Sequence, residues 1–382
     1  MRILISAGEA SGDLYASRVI EALRRLHPDA QFFGCAGPRM QALGVKTIVD
    51  ARSLSVVGLV EVIAHIPRIY GEFRKLVRAA AIEKPDIAVL TDSPDFHLRL
   101  AKKLAKQGIP VVYLIAPQAW AWRSGRTRSM RRTLKRLLCI FPFEQPWFEH
   151  RGVRSTYIGH PLARIVKPTL TREEFLKKIH LPPQAKYVVL LPGSRHGEAA
   201  RHMPDLIETS EQIAKTHPIE FVLALPPGFG VEKATFWERI RLSSIKVIEG
   251  STWEALTHAE MALAASGTVT IEAALLQVPM VTFYRVNALS WRMGRWLVEA
   301  PFLSMVNLVA ERLLVPELIQ HDMTVSRLTS EAVKLLESEA ERERMKAGLR
   351  EVAEKLKTGR DPMETAAEWV ERVWSENKSS SS

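Results

Sequence analysis

Cysteine is scarce in this chain. Its 382 residues include two, Cys35 and Cys139, far apart and each inside an apolar run. That excludes a disulfide scaffold and a cysteine-ligated zinc site, and it suits a reducing compartment. Long hydrophobic runs are missing as well. A membrane-crossing helix needs about 18 or more uncharged apolar residues. The best stretch, Leu54 to Ile66, is interrupted by Glu61. The start, Met1 to Ser6, turns into a glycine-containing loop by Gly8, which is too short for a secretory signal. These absences predict a cytoplasmic protein, or one that meets a membrane from the cytoplasmic side.

Acidic residues are scarce in one half only. Up to position 165 there are 26 basic and 13 acidic residues; from 166 onward there are 27 and 29. The whole net charge of +11 therefore sits in the first half. Such asymmetry points to a polyanionic partner for that half: nucleic acid, anionic lipid or a phosphorylated substrate. The densest run is Arg123, Arg126, Arg128, Arg131, Arg132, Lys135 and Arg136, preceded by Trp120 and Trp122. Basic residues beside tryptophan suit a membrane-surface patch. A solvated helical face is the plainer reading of the same run.

Apolar residues make up 47% of the chain, enough for two cores. Short apolar runs alternate with helical spacing, which predicts an α/β fold of parallel strands and crossover helices. The first series of strands is Arg2–Ser6, Gln31–Cys35, Val45–Val49, Ile87–Leu90, Pro110–Ile115, Leu137–Phe141 and Thr156–Ile158. A long amphipathic segment, Glu61–Ile82, is expected to break at Pro67. The second series is Tyr187–Leu191, Phe221–Leu225, Lys246–Ile248, Met261–Ala264 and Met280–Phe283. Two tandem Rossmann-like doubly wound domains are expected, 1–165 and 166–345. C-terminal helices over 346–376 can pack back on the first domain, and a frayed tail covers 377–382. Ligands of open α/β sheets bind outside the carboxyl ends of the strands. Two such domains would face each other across a cleft, with the chemistry in the loops just after strands.

Those loops hold the candidate residues. Ala7-Gly-Glu-Ala-Ser-Gly-Asp13 follows the first strand. Its glycines allow a tight turn into a helix whose amino end can hold an anion or sugar oxygens, and Glu9, Ser11 and Asp13 lie in it. It is not G-x-G-x-x-G, which disfavours a dinucleotide. The two acids could equally be helix caps. Thr91-Asp-Ser-Pro-Asp95 follows another strand. Asp92 or Asp95 could cap the next helix, or one could act as a general base. His160, in Gly159-His-Pro161, lies at the domain junction, structural or touching ligand. In the second half, Gly193, Ser194 and Arg195 offer backbone N–H groups and a guanidinium to a phosphate. Ser266, Gly267 and Thr268 form a second strand-to-helix turn, with Glu272 a helical turn later, placed for ribose hydroxyls. Two phosphate-type turns without a Walker lysine favour a nucleotide-sugar diphosphate over ATP. Asn307 offers an amide after what reads as a short strand. Aromatic and basic residues interleave in Phe283-Tyr-Arg285 and again from Trp291 to Trp296, where an ordinary amphipathic helix is the plainer reading.

With these residues in hand, the sequence closely resembles the lipid-A-disaccharide synthases, inverting glycosyltransferases of the GT-B fold. The resemblance runs from about Ile3 to about Leu318 and more weakly to the end. It is carried by Ala7 to Asp13, Ala36-Gly-Pro-Arg-Met40, Pro94-Asp-Phe96, Trp120-Ala-Trp-Arg123, Gly159-His-Pro161, Leu191 to Arg195, Ala265 to Thr268 with Glu272, and Asn307. It implies transfer of 2,3-diacylglucosamine from its UDP derivative to 2,3-diacylglucosamine 1-phosphate. The product would be the β-1,6-linked lipid A disaccharide 1-phosphate, with UDP released, in lipopolysaccharide synthesis. By resemblance, Asp95 is the base on the acceptor 6-hydroxyl, and Glu9 and Asp13 match a functional loop. Ser11 and His160 fall on the acceptor side. Gly193, Ser194, Arg195, Ser266, Gly267, Thr268, Glu272 and Asn307 fall on the UDP-sugar side. No metal and no cofactor are implied. Arg164 stands where the family often has an acid, and Met305-Val306 stands where Leu-Pro is common; neither removes a proposed catalytic group. The expected partners are the two acylated sugars and an anionic membrane surface, at the cytoplasmic face of the inner membrane, with a homodimer open. Nucleic acid is not expected, because it gives the phosphate loops no role. A UDP-sugar epimerase would share the fold, but it needs neither an acyl-binding surface nor a second sugar.

Overall fold

The computed structural model describes residues 1–54, 59–287, 291 and 300–379. The chain divides into two compact units: Met1–Pro161 with Thr358–Ser382, and Leu162–Lys357.

The first unit is a seven-stranded parallel sheet in the order β3-β2-β1-β4-β5-β6-β7. Its strands are β1 (Arg2–Ser6), β2 (Gln31–Ala36), β3 (Lys46–Asp50), β4 (Ile87–Thr91), β5 (Val111–Leu114), β6 (Arg136–Cys139) and β7 (Ser155–Tyr157). Residues Ile87–Thr91 and Val111–Leu114 are buried throughout, as parallel strands covered on both faces must be. The order reverses between β1 and β4, which pair in register Leu4↔Ala88. At that reversal the crossover helices leave to opposite sides, so the loops after β1 and β4 diverge and leave a crevice. The Gly8–Ser11 and Asp92–Asp95 segments therefore meet there for topological reasons.

The second unit repeats the plan with six parallel strands, β10-β9-β8-β11-β12-β13. They are β8 (Tyr187–Leu191), β9 (Glu220–Leu225), β10 (Lys246–Glu249), β11 (Met261–Ala265), β12 (Met280–Tyr284) and β13 (Glu317–Ile319). Here the reversal lies between β8 and β11, with Leu190 opposite Leu263. The loops that leave it are Pro192–Arg195 and Ser266–Gly267.

Several elements differ from expectation. The helix Leu59–Glu83 runs through Pro67 without a break. Proline removes one ladder hydrogen bond, but Pro67 is exposed, so water can take the orphaned carbonyl. Asn307 lies in a short helix, Met305–Ala310, not after a strand, and the strand that follows, Glu317–Ile319, is short enough to lack a pattern. Arg292 to Trp296 fall outside the described residues. The helix Glu339–Leu356 belongs to the second unit, and the chain returns to the first only at Thr358.

The returning helix, Pro362–Ser379, starts as its sequence dictates. Asp361 Oδ1 accepts from the N–H groups of Met363 and Glu364, and Pro362 occupies the first turn. It packs on the helix Ala10–Leu26. Glu364 pairs with Arg25 at 2.8 Å, and the Trp374 ring meets His27 edge-on at 5.5 Å. Trp369 carries the Arg136 guanidinium 4.1 Å above its ring. Arg136 is therefore part of this packing and not of an open basic surface. Among the described residues no helix is long and apolar enough to cross a membrane.

Candidate active site

In the first unit the site is built around Asp92. It follows β4 with φ +52°, a left-handed conformation that costs a non-glycine residue energy. Ser93 (φ +35°), Ile115 (φ +64°) and Arg123 (φ +62°) share it along the same carboxyl edge. Asp92 Oδ1 accepts from Gly8 N–H at 2.8 Å and Oδ2 from Glu9 N–H at 3.1 Å, tying the β4 loop to the β1 loop. Glycine is required at position 12, where a Cβ would lie 1.7 Å from Asp92 Oδ2. Burial pushes the Asp92 carboxyl up to about 7, against the lowering effect of those two N–H groups. Beneath it, Tyr113 donates its hydroxyl proton to the Asp92 carbonyl at 2.6 Å. The His97 ring lies 3.0 Å from the same carbonyl through Nδ1 and 2.7 Å from Ser6 Oγ through Nε2. Burial pushes His97 down to about 4, so the ring is neutral at pH 7. The pattern fits Nδ1–H donating to the carbonyl and Ser6 O–H donating to Nε2. Tyr113, His97 and Ser6 are supports that the sequence did not reveal, because each sits at an ordinary core position.

Asp95 lies in the first turn of the helix Pro94–Lys106 and is 66% exposed. Its Oδ1 accepts from Arg126 Nη2 at 2.6 Å and from Arg123 Nη1 at 3.0 Å; Oδ2 accepts from Arg123 Nη1 at 3.1 Å. Both guanidiniums lie over the Trp122 ring, at 4.5 and 5.2 Å. Glu9 is exposed at the amino end of the helix Ala10–Leu26, with Ser11 exposed in its first turn.

Two expected site residues have other work. Asp13 is buried, and its oxygens accept from the N–H groups of Gly37, Arg39 and Met40 at 2.9–3.2 Å. It caps the short helix Pro38–Ala42 and so explains why the Ala36–Met40 motif accompanies it. Trp120 is buried, not part of a surface patch. Its indole N–H donates to Glu144 Oε1 at 3.0 Å, and its ring meets Phe143 edge-on. Glu144 also accepts from Ile140 and Phe141 N–H, and burial pushes it up to about 7. Trp122, Arg128, Arg131 and Arg132 are exposed. His160 is buried against the Phe141 ring, and burial pushes it down to about 3.

In the second unit a cavity of about 370 Å³ opens at the β8/β11 reversal. That lies within the ~300–1,000 Å³ range of small-molecule sites. Gly193, Ser194 and Arg195 form one wall, Ser266, Gly267 and Thr268 another, and Glu272 lines it too. The helices His196–Ala214 and Thr268–Leu275 both begin there, so two positive helix ends converge on one space. Gly193 holds φ +114°, and a Cβ there would lie 2.3 Å from Glu198. Glu198 Oε2 accepts from Ser194 N–H at 3.1 Å. The loop is braced from below by buried His202, whose Nδ1 lies 2.7 Å from the Pro192 carbonyl while Nε2 accepts from Arg285 N–H. Glu272 Oε2 accepts from Trp253 Nε1 at 2.7 Å, which aims the carboxylate, and burial raises its pKa. Glu198, His202 and Trp253 carry no motif that the sequence could have offered.

Asn307 does not line this cavity. It is buried, with Nδ2 donating to Val315 O and Glu317 Oε1, and Oδ1 accepting from Leu314 and Val315 N–H. All four hydrogen-bonding capacities of the amide are used inside the fold. Among the described residues no group of three or more His, Cys, Asp or Glu side chains converges as a metal site would need.

A family model described as Lipid-A-disaccharide synthetase matches residues 3–369. A lipid-A-disaccharide synthase of Solibacter usitatus is 61% identical over 355 residues, 93% of each chain. One from Acidobacterium capsulatum is 43% identical, over 93% of this chain and 92% of its own. Among solved structures, a UDP-GlcNAc 2-epimerase from Neisseria meningitidis bound to UDP-GlcNAc aligns with TM-score 0.63 and 14% identity, over 98% and 100% of the two chains. The glycotransferase of kitacinnamycin aligns at 0.64 and 16%, over 97% and 98%. At such identities the last two speak for the fold alone, a two-domain α/β fold of GT-B type. The family model and the relatives speak for more: the chain belongs to the lipid-A-disaccharide synthase family.

Proposed function

We propose that the chain transfers 2,3-diacylglucosamine from its UDP derivative to the 6-hydroxyl of 2,3-diacylglucosamine 1-phosphate. The observation that carries this reading is the cavity at the β8/β11 reversal, with two amide-rich turns, Arg195 and an oriented Glu272. Its donors suit a diphosphate and its carboxylate suits a ribose. The Neisseria epimerase, solved bound to UDP-GlcNAc, shares this fold, in keeping with a UDP-sugar ligand.

The chemistry is one displacement. The acceptor oxygen bonds to the anomeric carbon from the face opposite UDP, inverting it. The bond from that carbon to the diphosphate oxygen breaks, and UDP leaves with the electron pair. The hydroxyl proton passes to Asp95. Arg195 and the two helix amino ends meet the charge that develops on the diphosphate. Glu9 and Ser11, exposed beside Asp92, are placed for acceptor hydroxyls. Trp122 with Arg128, Arg131 and Arg132 is suited to an anionic membrane surface, where acylated substrates reside.

Mass spectrometry of products from the two acylated sugars tests the reading, with Asp95→Asn as the variant. The disaccharide 1-phosphate should form with wild-type protein. Asp95→Asn should lower turnover by about 100-fold or more while UDP still binds. A near wild-type rate would remove Asp95 as the base, and conversion of UDP-N-acetylglucosamine alone would favour an epimerase.

A further inference from the structure

We propose that Arg123 and Arg126 are the receptor for the acceptor's 1-phosphate, and that the Asp95 carboxylate occupies this receptor until the phosphate displaces it. The inference rests on the transfer reading above and names how that site recognises its acceptor.

The first observation is stoichiometry. One carboxylate serves two guanidiniums, so the trio carries a net charge of +1. Two guanidiniums present about ten N–H donors against about four lone-pair sites on one carboxylate. The second observation is orientation. Arg126 is 13% exposed, and both guanidiniums also lie over the Trp122 ring, so each has a contact besides Asp95 that orients it. The third is strain. Arg123 keeps a left-handed backbone in a segment where glycine stands two residues later, at Gly125. Such conformations persist where surrounding structure enforces them, and they cluster at ligand clamps.

The pairs themselves are weak. An ion pair to a carboxylate that is 66% exposed is largely screened by water. A phosphate monoester brings more charge and three oxygens to the same donors, and it can bind them bidentately. Substrate geometry then closes the argument. In a hexose, carbons 1 and 5 flank the ring oxygen, and the 6-hydroxyl is borne by carbon 6, which hangs from carbon 5. The phosphate and the attacking hydroxyl thus leave the sugar on the same edge. One carboxylate beside two arginines is the arrangement that reads both groups at once. When the phosphate takes the guanidiniums, the Asp95 oxygens are released to accept the hydroxyl proton.

The test compares kcat/KM for 2,3-diacylglucosamine 1-phosphate and for the same sugar without phosphate. Wild-type protein should favour the phosphorylated acceptor by about 100-fold, the worth of a pair of charge-assisted bonds. In Arg126→Ala that ratio should fall by about 10-fold, because one of the two guanidiniums that hold the phosphate is gone. Arg126→Lys, which keeps the charge and stem but not the fork, should retain an intermediate ratio. Binding to phosphatidylglycerol vesicles should not change in either variant. An unchanged ratio in both variants, an equal loss on both acceptors, or a fall in vesicle binding with the ratio intact would each overturn the inference. Wild-type protein that forms no disaccharide from either acceptor would overturn the transfer reading itself, which separates the two failures.

Discussion

Replacing Asn307 separates two roles that the sequence could not. Its amide makes four hydrogen bonds of 2.8–2.9 Å inside the second unit, two donated and two accepted. Glu317, one of its partners, also accepts from Leu303 and Ser304 N–H. The pair therefore stitches the segment 303–317 together. Asn307→Ala leaves the buried Val315 N–H and C=O, and the half-buried Leu314 N–H, without that partner. At about 1 kcal/mol for each lost bond, and more where a buried group stays unpaired, the loss should be about 4 kcal/mol. That is a large part of the ~5–15 kcal/mol by which domains are stable. Asn307→Asp keeps both accepted bonds but sets an oxygen against Glu317, and should cost about 2–3 kcal/mol. Urea denaturation followed by tryptophan fluorescence reads this as a lower midpoint at an unchanged slope. UDP titration calorimetry on the protein that remains folded should show affinity within about 3-fold of wild type, since the amide does not reach the cavity. An Asn307→Ala protein within about 1 kcal/mol of wild-type stability that nevertheless loses UDP tenfold would refute the argument and return Asn307 to the ligand.

Two further outcomes follow from the same geometry. Arg195→Ala should weaken UDP binding about 10–100-fold, the worth of a charge-assisted contact to phosphate, with an unchanged melting midpoint; titration calorimetry checks it, and unchanged affinity would move the diphosphate elsewhere. His97→Gln keeps a donor toward the Asp92 carbonyl and an acceptor toward Ser6 but cannot ionise. Because burial depresses His97 to about 4, the unfolded chain binds its proton first as pH falls below about 6.5. Wild-type stability relative to the variant is thus full above that pH and should drop by about 2 kcal/mol between pH 7 and pH 5; urea midpoints at the two values would contradict this by moving in parallel.

The strand-and-helix alternation was legible because parallel strands buried on both faces must be continuously apolar, as Ile87–Leu90 and Tyr187–Leu191 are. The site loops were legible for a topological reason: they follow the four strands that border the two reversals of strand order. The use made of individual side chains was not. Asp13 and Asp95 stand in equally suggestive loops, yet one caps a helix from the interior while the other is exposed between two arginines. The difference depends on the Gly37–Met40 backbone, 24 or more residues away. Trp120 and Trp122 are two residues apart, and the first was drawn inward by a buried carboxylate, Glu144, with no local sequence sign. Pro67 misled because its exposure, not its identity, decides whether a helix survives it.

The return of Thr358–Ser379 to the first unit has a consequence for synthesis on the ribosome. The second unit is one uninterrupted stretch, Leu162–Lys357, and can finish as soon as it emerges. The first begins earlier but must wait for its last helix until nearly 200 residues later have been translated. The amino-terminal half is thus the last to be completed. A nascent chain stalled before Thr358 would present the bare flank of the Ala10–Leu26 helix to chaperones.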